Sequence, residues 1–144
     1  FLGITFNWGI IMAWTALDNQ ISLEIIILYV SAIFWTLGYD TIYGAQDLSD
    51  DEIIGLKSTS IKFKKNLKIF VSTTYLVTSL LIFYLLKNSI GMNLLSLLFL
   101  IFIISLIYQI IKFELSKPKT CLDAFKLNNF SGLILFFTFL TINY

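Results

Sequence analysis

Leu94-Leu-Ser-Leu-Leu-Phe-Leu-Ile-Phe-Ile-Ile-Ser-Leu-Ile-Tyr-Gln-Ile-Ile111 carries no charge along its whole length. As an α-helix it would be about 27 Å long, close to the thickness of a bilayer's hydrocarbon core. Water would not tolerate such a run on a surface, and a soluble core does not need one this long. The stretch therefore predicts a membrane-spanning helix, and the rest of the chain is read outward from it. The protein has 144 residues, 58% of them hydrophobic and 13% charged, where a soluble domain carries about 25% charged residues. The mean hydropathy is +0.85. One proline and few internal glycines leave the apolar blocks free to be helical.

Four more segments fit the pattern. They are Phe1 to Leu17, Ile21 to Gly38, Ile69 to Leu86, and about Phe130 to Asn143. The third of the five is diluted by Ser72, Thr73, Thr74, Thr78 and Ser79, whose hydroxyls can bond back to helix carbonyls. The expectation is an all-α, polytopic membrane helix bundle of five transmembrane helices in a lipid bilayer. Lysines set its orientation. Lys57, Lys62, Lys64, Lys65 and Lys68 lie between the second and third segments, and Lys112, Lys117, Lys119 and Lys126 between the fourth and fifth. The turn from Asp18 to Glu24 has no lysine, and that from Lys87 to Asn93 has only Lys87. Both lysine-rich connections are thus expected on the cytoplasmic side of a bacterial inner membrane, or the equivalent side of a mitochondrial inner membrane, with Tyr144 opposite. The chain opens at Phe1 inside an apolar run, and residues 1–144 are expected to form the C-terminal part of one membrane-embedded domain.

Composition also excludes chemistries. Net charge is +1, histidine is absent and Cys121 is the one cysteine. Nothing suggests a nucleic-acid partner, a disulfide framework, or a zinc or histidine site. Any metal would be held by oxygen, which favours Mg²⁺. The oxygen donors concentrate in Tyr39-Asp40-Thr41-Ile42-Tyr43-Gly44-Ala45-Gln46-Asp47-Leu48-Ser49-Asp50-Asp51-Glu52. If the second segment continues as a helix, Asp40, Asp47 and Asp51 fall within an arc of roughly 40°. Asp50 and Glu52 then face water. Such a stripe is either a solvated acidic loop or a place where a divalent cation offsets mutual repulsion. Two features favour the cation. Asp40 closes an apolar span, where a charge is costly, and Gly55, Lys57, Ser58 and Thr59 follow just beyond. Carboxylate-bound Mg²⁺ with a nearby lysine is a common way to hold a diphosphate.

The pattern from Tyr39 to Thr59, written Y-D-T-I-Y-G-A-Q-D-x-x-D-D-x-x-I-G-x-K-S-T, resembles the second aspartate-rich motif of the UbiA superfamily. Within it the pattern is most similar to the 4-hydroxybenzoate polyprenyltransferases of ubiquinone biosynthesis. Phe6, Trp8-Gly9 and Met12-Ala13 resemble the helix before the motif. Cys121, Phe125-Lys126 and Asn129-x-x-Gly132 resemble the last loop and helix. The resemblance implies the last five helices of a nine-helix fold. It also implies a reaction in which Mg²⁺ at two aspartate-rich motifs holds a polyprenyl diphosphate whose prenyl group passes to 4-hydroxybenzoate. By motif position Asp47 and Asp51 would be metal ligands and Asp40 a third carboxylate. Lys57 would meet the diphosphate. Tyr39 and Tyr43 would face the allylic cation or else anchor the helix at the membrane boundary. The first aspartate-rich motif is not within these residues, so the 144-residue chain alone is expected to be inactive. Another prenyl acceptor, or a noncatalytic membrane protein with a cation-binding loop, are the competing readings. Asn7 and Gln109, polar residues inside apolar spans, line a cavity or bond helix to helix. Asn128 and Asn129 are expected to cap the last helix.

Overall fold

Long uninterrupted runs of Leu, Ile and Phe leave the backbone only its own hydrogen bonds to make, and the chain responds with helices. The computed structural model describes residues 2–142. Helices α1 (Leu2–Phe6) and α2 (Trp8–Leu17) are separated at Asn7. They are followed by α3 (Leu23–Gly44), α4 (Leu48–Ile54), α5 (Thr59–Lys62), α6 (Leu67–Leu86), α7 (Leu94–Lys112), α8 (Pro118–Lys126) and α9 (Asn128–Leu140), with a 3₁₀ turn at Lys64–Asn66 leading into α6. No strand occurs among the described residues, only an isolated bridge between Glu114 and Lys117. Caps mark the long helices. Ser22 accepts a bond from the Ile25 amide at the start of α3, and Asn93 does the same for Ser96 at the start of α7. Pro118 occupies the first position of α8, where its missing N–H costs nothing.

Three helices are long and apolar enough to cross a membrane: Leu23–Gly44, Lys64–Leu86 with its leading turn, and Leu94–Lys112. The other two expected spans are shorter. Residues 2–17 are interrupted at Asn7, whose side chain and amide both donate to the Gly3 carbonyl, at 2.8 and 3.4 Å. Helix α9 has 13 residues, about 20 Å of rise against about 30 Å of hydrocarbon. Phe1, Asn143 and Tyr144, at the outer ends of these two segments, lie outside the described residues. The expected caps of α9 also differ. Asn128 and Asn129 are its first helical residues, and Leu127 at the cap makes no side-chain bond.

Two helix pairs build an all-α membrane bundle. Helix α3 packs on α6 at Gly38, where an added Cβ would run into the Tyr75 ring and lie 2.8 Å from Thr74 Oγ1. One turn further along, the Thr78 hydroxyl donates to the Ser31 carbonyl at 3.3 Å. Helix α7 packs on α9, where Gln109 Nε2 donates to Ser131 Oγ and Ser105 meets the same hydroxyl, both at 2.8 Å. The fully buried Gln109 joins the pairs by accepting from the Tyr75 hydroxyl at 2.7 Å. Ile82, Leu86, Phe99 and Phe102 fill the space between. The outward faces are apolar: Leu76, Leu80 and Phe83 on α6, and Leu97, Leu100, Ile104 and Ile107 on α7. They suit lipid, not water. Both lysine-rich connections lie at one end, since Lys68 Nζ stands 5.3 Å from the centre of the Phe113 ring and Tyr43 packs on Phe125 at 4.8 Å. The alternation of lysine-rich and lysine-poor turns requires this arrangement.

Candidate functional site

The last two turns of α3 present one polar and aromatic face. Thr36, Tyr39, Asp40 and Tyr43 recur at three- and four-residue spacing, so they share that face. Thr36 is held from behind by Asn7, whose Nδ2 donates to Thr36 Oγ1 at 2.8 Å and to the Ala32 carbonyl at 3.3 Å. Asn7 thus bonds helix to helix, as Gln109 does. Tyr39 donates its hydroxyl to the same Thr36 oxygen at 3.3 Å. The rings continue the face: Trp35 and Tyr39 meet edge to face at 6.3 Å, and Phe125 of α8 lies 6.0 Å from Tyr39 and 4.8 Å from Tyr43. Both tyrosines are therefore packed against a neighbouring helix. Asp40 is half-buried beside them.

Beyond Tyr43 the geometry departs from the expected continuous helix. Helix α3 ends at Gly44, and the Ala45 and Gln46 amides reach back only three residues, to the Ile42 and Tyr43 carbonyls at 3.2 Å. The helix restarts at Leu48. A single stripe through Asp40, Asp47 and Asp51 does not form. The reason is tertiary. Ala45 and Leu48 turn inward to join the core, and the chain comes back to α3 at Thr59 and Ser60. There Ser60 Oγ donates to the Thr41 carbonyl at 2.9 Å, and the Thr41 and Thr59 hydroxyls lie 3.1 Å apart. Gly44 leaves room for this return, since a Cβ would stand 2.6 Å from Ser60 Oγ.

Between these tied ends the acids are displayed. Asp47 and Asp51 are still one turn apart, the Asp51 amide donating to the Asp47 carbonyl at 2.9 Å. Asp47 Oδ2 accepts from Gln46 Nε2 at 3.0 Å. Gly55 ends α4 with φ of 78° in the left-handed region. The Gly55 amide bonds to Glu52 and the Leu56 amide to Asp51, the Schellman arrangement for which glycine is suited. Glu52 faces water and pairs with Lys64 at 2.7 Å, and Asp50 is exposed as expected. Lys57 is exposed in the connection between α4 and α5 and, with Ser58, Thr59 and Lys62, lines a hollow of about 370 Å³. Among the described residues no three His, Cys, Asp or Glu side chains come together in a group that could hold a metal ion. What the loop does offer is two accessible carboxylates one turn apart. That donor set fits Mg²⁺, which takes one or two carboxylates and completes its shell with water and phosphate oxygens.

Some of this was out of reach of sequence reasoning. Phe125 as a wall for both tyrosines was noted only as part of a resemblance. The Thr41–Thr59–Ser60 tie was missed, although three consecutive hydroxyls at Ser58-Thr59-Ser60 were its signal.

Comparison with known proteins points one way. The model of the UbiA prenyltransferase family matches residues 1–139. The chain is 36% identical, over 148 aligned residues and 94% of its length, to a Bos taurus protein named 4-hydroxybenzoate polyprenyltransferase, mitochondrial. A Homo sapiens protein of the same name has the same identity and coverage. The Arabidopsis thaliana protein of that name is 47% identical over 73 residues, half of the chain and 18% of the relative. The chain spans 37% of the length of the bovine and human relatives. No solved structure matches.

Proposed function

The chain belongs to the UbiA prenyltransferase family, and from that premise we propose that it forms part of an aromatic prenyltransferase. The proposed reaction moves a polyprenyl group from its diphosphate onto 4-hydroxybenzoate, in ubiquinone biosynthesis. The observation that carries this reading is the likeness along 94% of the chain to proteins named for that activity. The acids and the tyrosine face at the polar end of the bundle are in keeping with it.

In the proposed reaction a carbon–oxygen bond to the diphosphate breaks, and a carbon–carbon bond forms ortho to the hydroxyl of the aromatic acid, which loses a proton there. Asp47 and Asp51 would hold Mg²⁺, with Asp40 as a third carboxylate. Mg²⁺ bound there would offset the charge of the departing diphosphate. Lys57 would donate to diphosphate oxygens. Asp40 would set a negative charge near the positive charge developing on the allylic carbon. The faces of Tyr39 and Tyr43 would favour that same charge, and Trp35, Phe102 and Phe125 would keep water from it. The chain spans 37% of the length of the bovine relative, so the 144 residues alone should not turn over. We place the protein in the mitochondrial inner membrane, in keeping with the relatives' names, with the lysine-rich connections on the matrix side.

The test is prenyl transfer in membranes containing the complete protein, supplied with 4-hydroxybenzoate and a polyprenyl diphosphate. Product should require Mg²⁺ and vanish with a chelator. Asp47→Asn or Asp51→Asn should lower turnover on the order of a hundredfold or more. Product formed in chelator, or unchanged turnover in either variant, would refute the assignment.

A further inference from the structure

We infer that the pocket between the start of α6 and the α7–α8 connection binds the phosphate headgroup of an anionic membrane lipid. The pocket is an open hollow of about 530 Å³ between Lys64–Ile69 and Glu114–Ser116, on elements other than the one that displays Asp47 and Asp51. Its charge is unbalanced. Glu52 takes Lys64 at 2.7 Å, and Lys117 takes Glu114, the one acid in the lining, also at 2.7 Å. The Lys117 ammonium bonds to the Glu114 carboxyl and, with a weaker pull from the charge of Lys68, holds it below its ordinary range. Among the described residues Lys65 and Lys68 have no carboxylate within ion-pair distance. The Lys68 ammonium is set in place over the Phe113 ring, 5.3 Å from its centre. The pocket also adjoins the N-terminus of α6, the positive end of that helix's dipole, where Asn66 makes no side-chain capping bond.

The surroundings select a lipid over a free anion. The rim carries Ile69 and Leu115, both exposed, so an amphiphile can lay its chains on the apolar rim while its phosphate meets the lysines. The depth is right as well. Lys62 over Phe63 and Lys112 over Tyr108 mark this end as the membrane boundary. A basic pocket at such a boundary is the kind of surface that collects acidic headgroups.

Native mass spectrometry of the purified protein, released from neutral detergent with phosphatidylglycerol or phosphatidylcholine, tests this apart from any catalysis. Phosphatidylglycerol should be retained over phosphatidylcholine. The Lys65→Gln/Lys68→Gln variant should bind it about tenfold more weakly, while Lys65→Arg/Lys68→Arg should keep it. A charge-matched Lys87→Gln/Lys126→Gln control should bind as the wild type, and millimolar inorganic phosphate should not displace the lipid. Equal retention of the two lipids would overturn the inference, as would unaltered binding in the Lys65→Gln/Lys68→Gln variant or an equal loss in the control. Ready displacement by inorganic phosphate would show a small-anion site instead.

Discussion

The side chains of Thr41 and Thr59 meet at 3.1 Å although 18 positions separate them. Ser60 adds a buried bond to the Thr41 carbonyl, so the acidic loop leaves α3 and returns to the same turn. Replacing Ser60 by Ala should loosen that return. A buried hydrogen bond contributes about 1 kcal/mol, so opening should become about fivefold more frequent. Tryptic cleavage after the exposed Lys57, timed by mass spectrometry in mild detergent, should accelerate by that factor. Cleavage at the wild-type rate would mean that the tie does not hold the loop.

Gly38 and Gly9 make a matched pair. An added methyl at Gly38 meets the Tyr75 ring, which is buried, whereas nothing lies within 4 Å of one at Gly9. Gly38→Ala should destabilise the bundle by about 1–3 kcal/mol. Gly9→Ala should be neutral or slightly stabilising, because alanine is the better helix former. Thermal unfolding of both variants in the same detergent decides it.

The Tyr75–Gln109–Ser131 chain predicts non-additivity. Tyr75→Phe removes the donor to a fully buried carbonyl and should cost about 1 kcal/mol, within the range of side-chain bonds between membrane helices. Gln109→Leu should cost more, since it strips partners from two helices. The double variant should cost less than the two singles combined. Strict additivity in the cycle would show that the bond contributes nothing.

How far all this was legible beforehand differs from element to element. The run from Leu94 to Ile111 announced α7 nearly to the residue, because apolar length is a local property. The acids stand out for the same reason: they are conspicuous in a chain this apolar. The interruption after Gly44 was not legible, because it depends on Ser60 arriving from a distance to occupy the inside of the bend. Asn7 stands out as polar in an apolar run, but its partners, Thr36 and the Ala32 carbonyl on α3, lie too far along the chain to be read from it. Asn128 failed as a cap because α8 runs almost directly into α9 at Leu127, leaving no extended residue from which a side chain could reach back.

Cys121 offers a test by pH. Burial pushes its thiol up, while Thr120, the Glu114 carbonyl and Lys68 pull the other way more weakly. The folded thiol keeps its proton to higher pH than the unfolded one. Its burial therefore stabilises in full below the unfolded value, about 8.5, and that contribution is lost as pH rises through the folded value. Maleimide should label the native protein slowly near neutrality and much faster only at a pH above the range where an unfolded control reacts. Equal labelling of the two near neutrality would contradict the burial.

The tied loop has one more consequence. A flexible segment that must order itself around a ligand surrenders conformational freedom at the moment of binding, and affinity falls accordingly. With residues 41 and 59 joined and Gly55 capped, most of that freedom is already gone once the chain has folded. Whatever docks between Asp47 and Lys57 meets a frame that is already built, so its grip should owe more to charge than to the wrapping of chain around it.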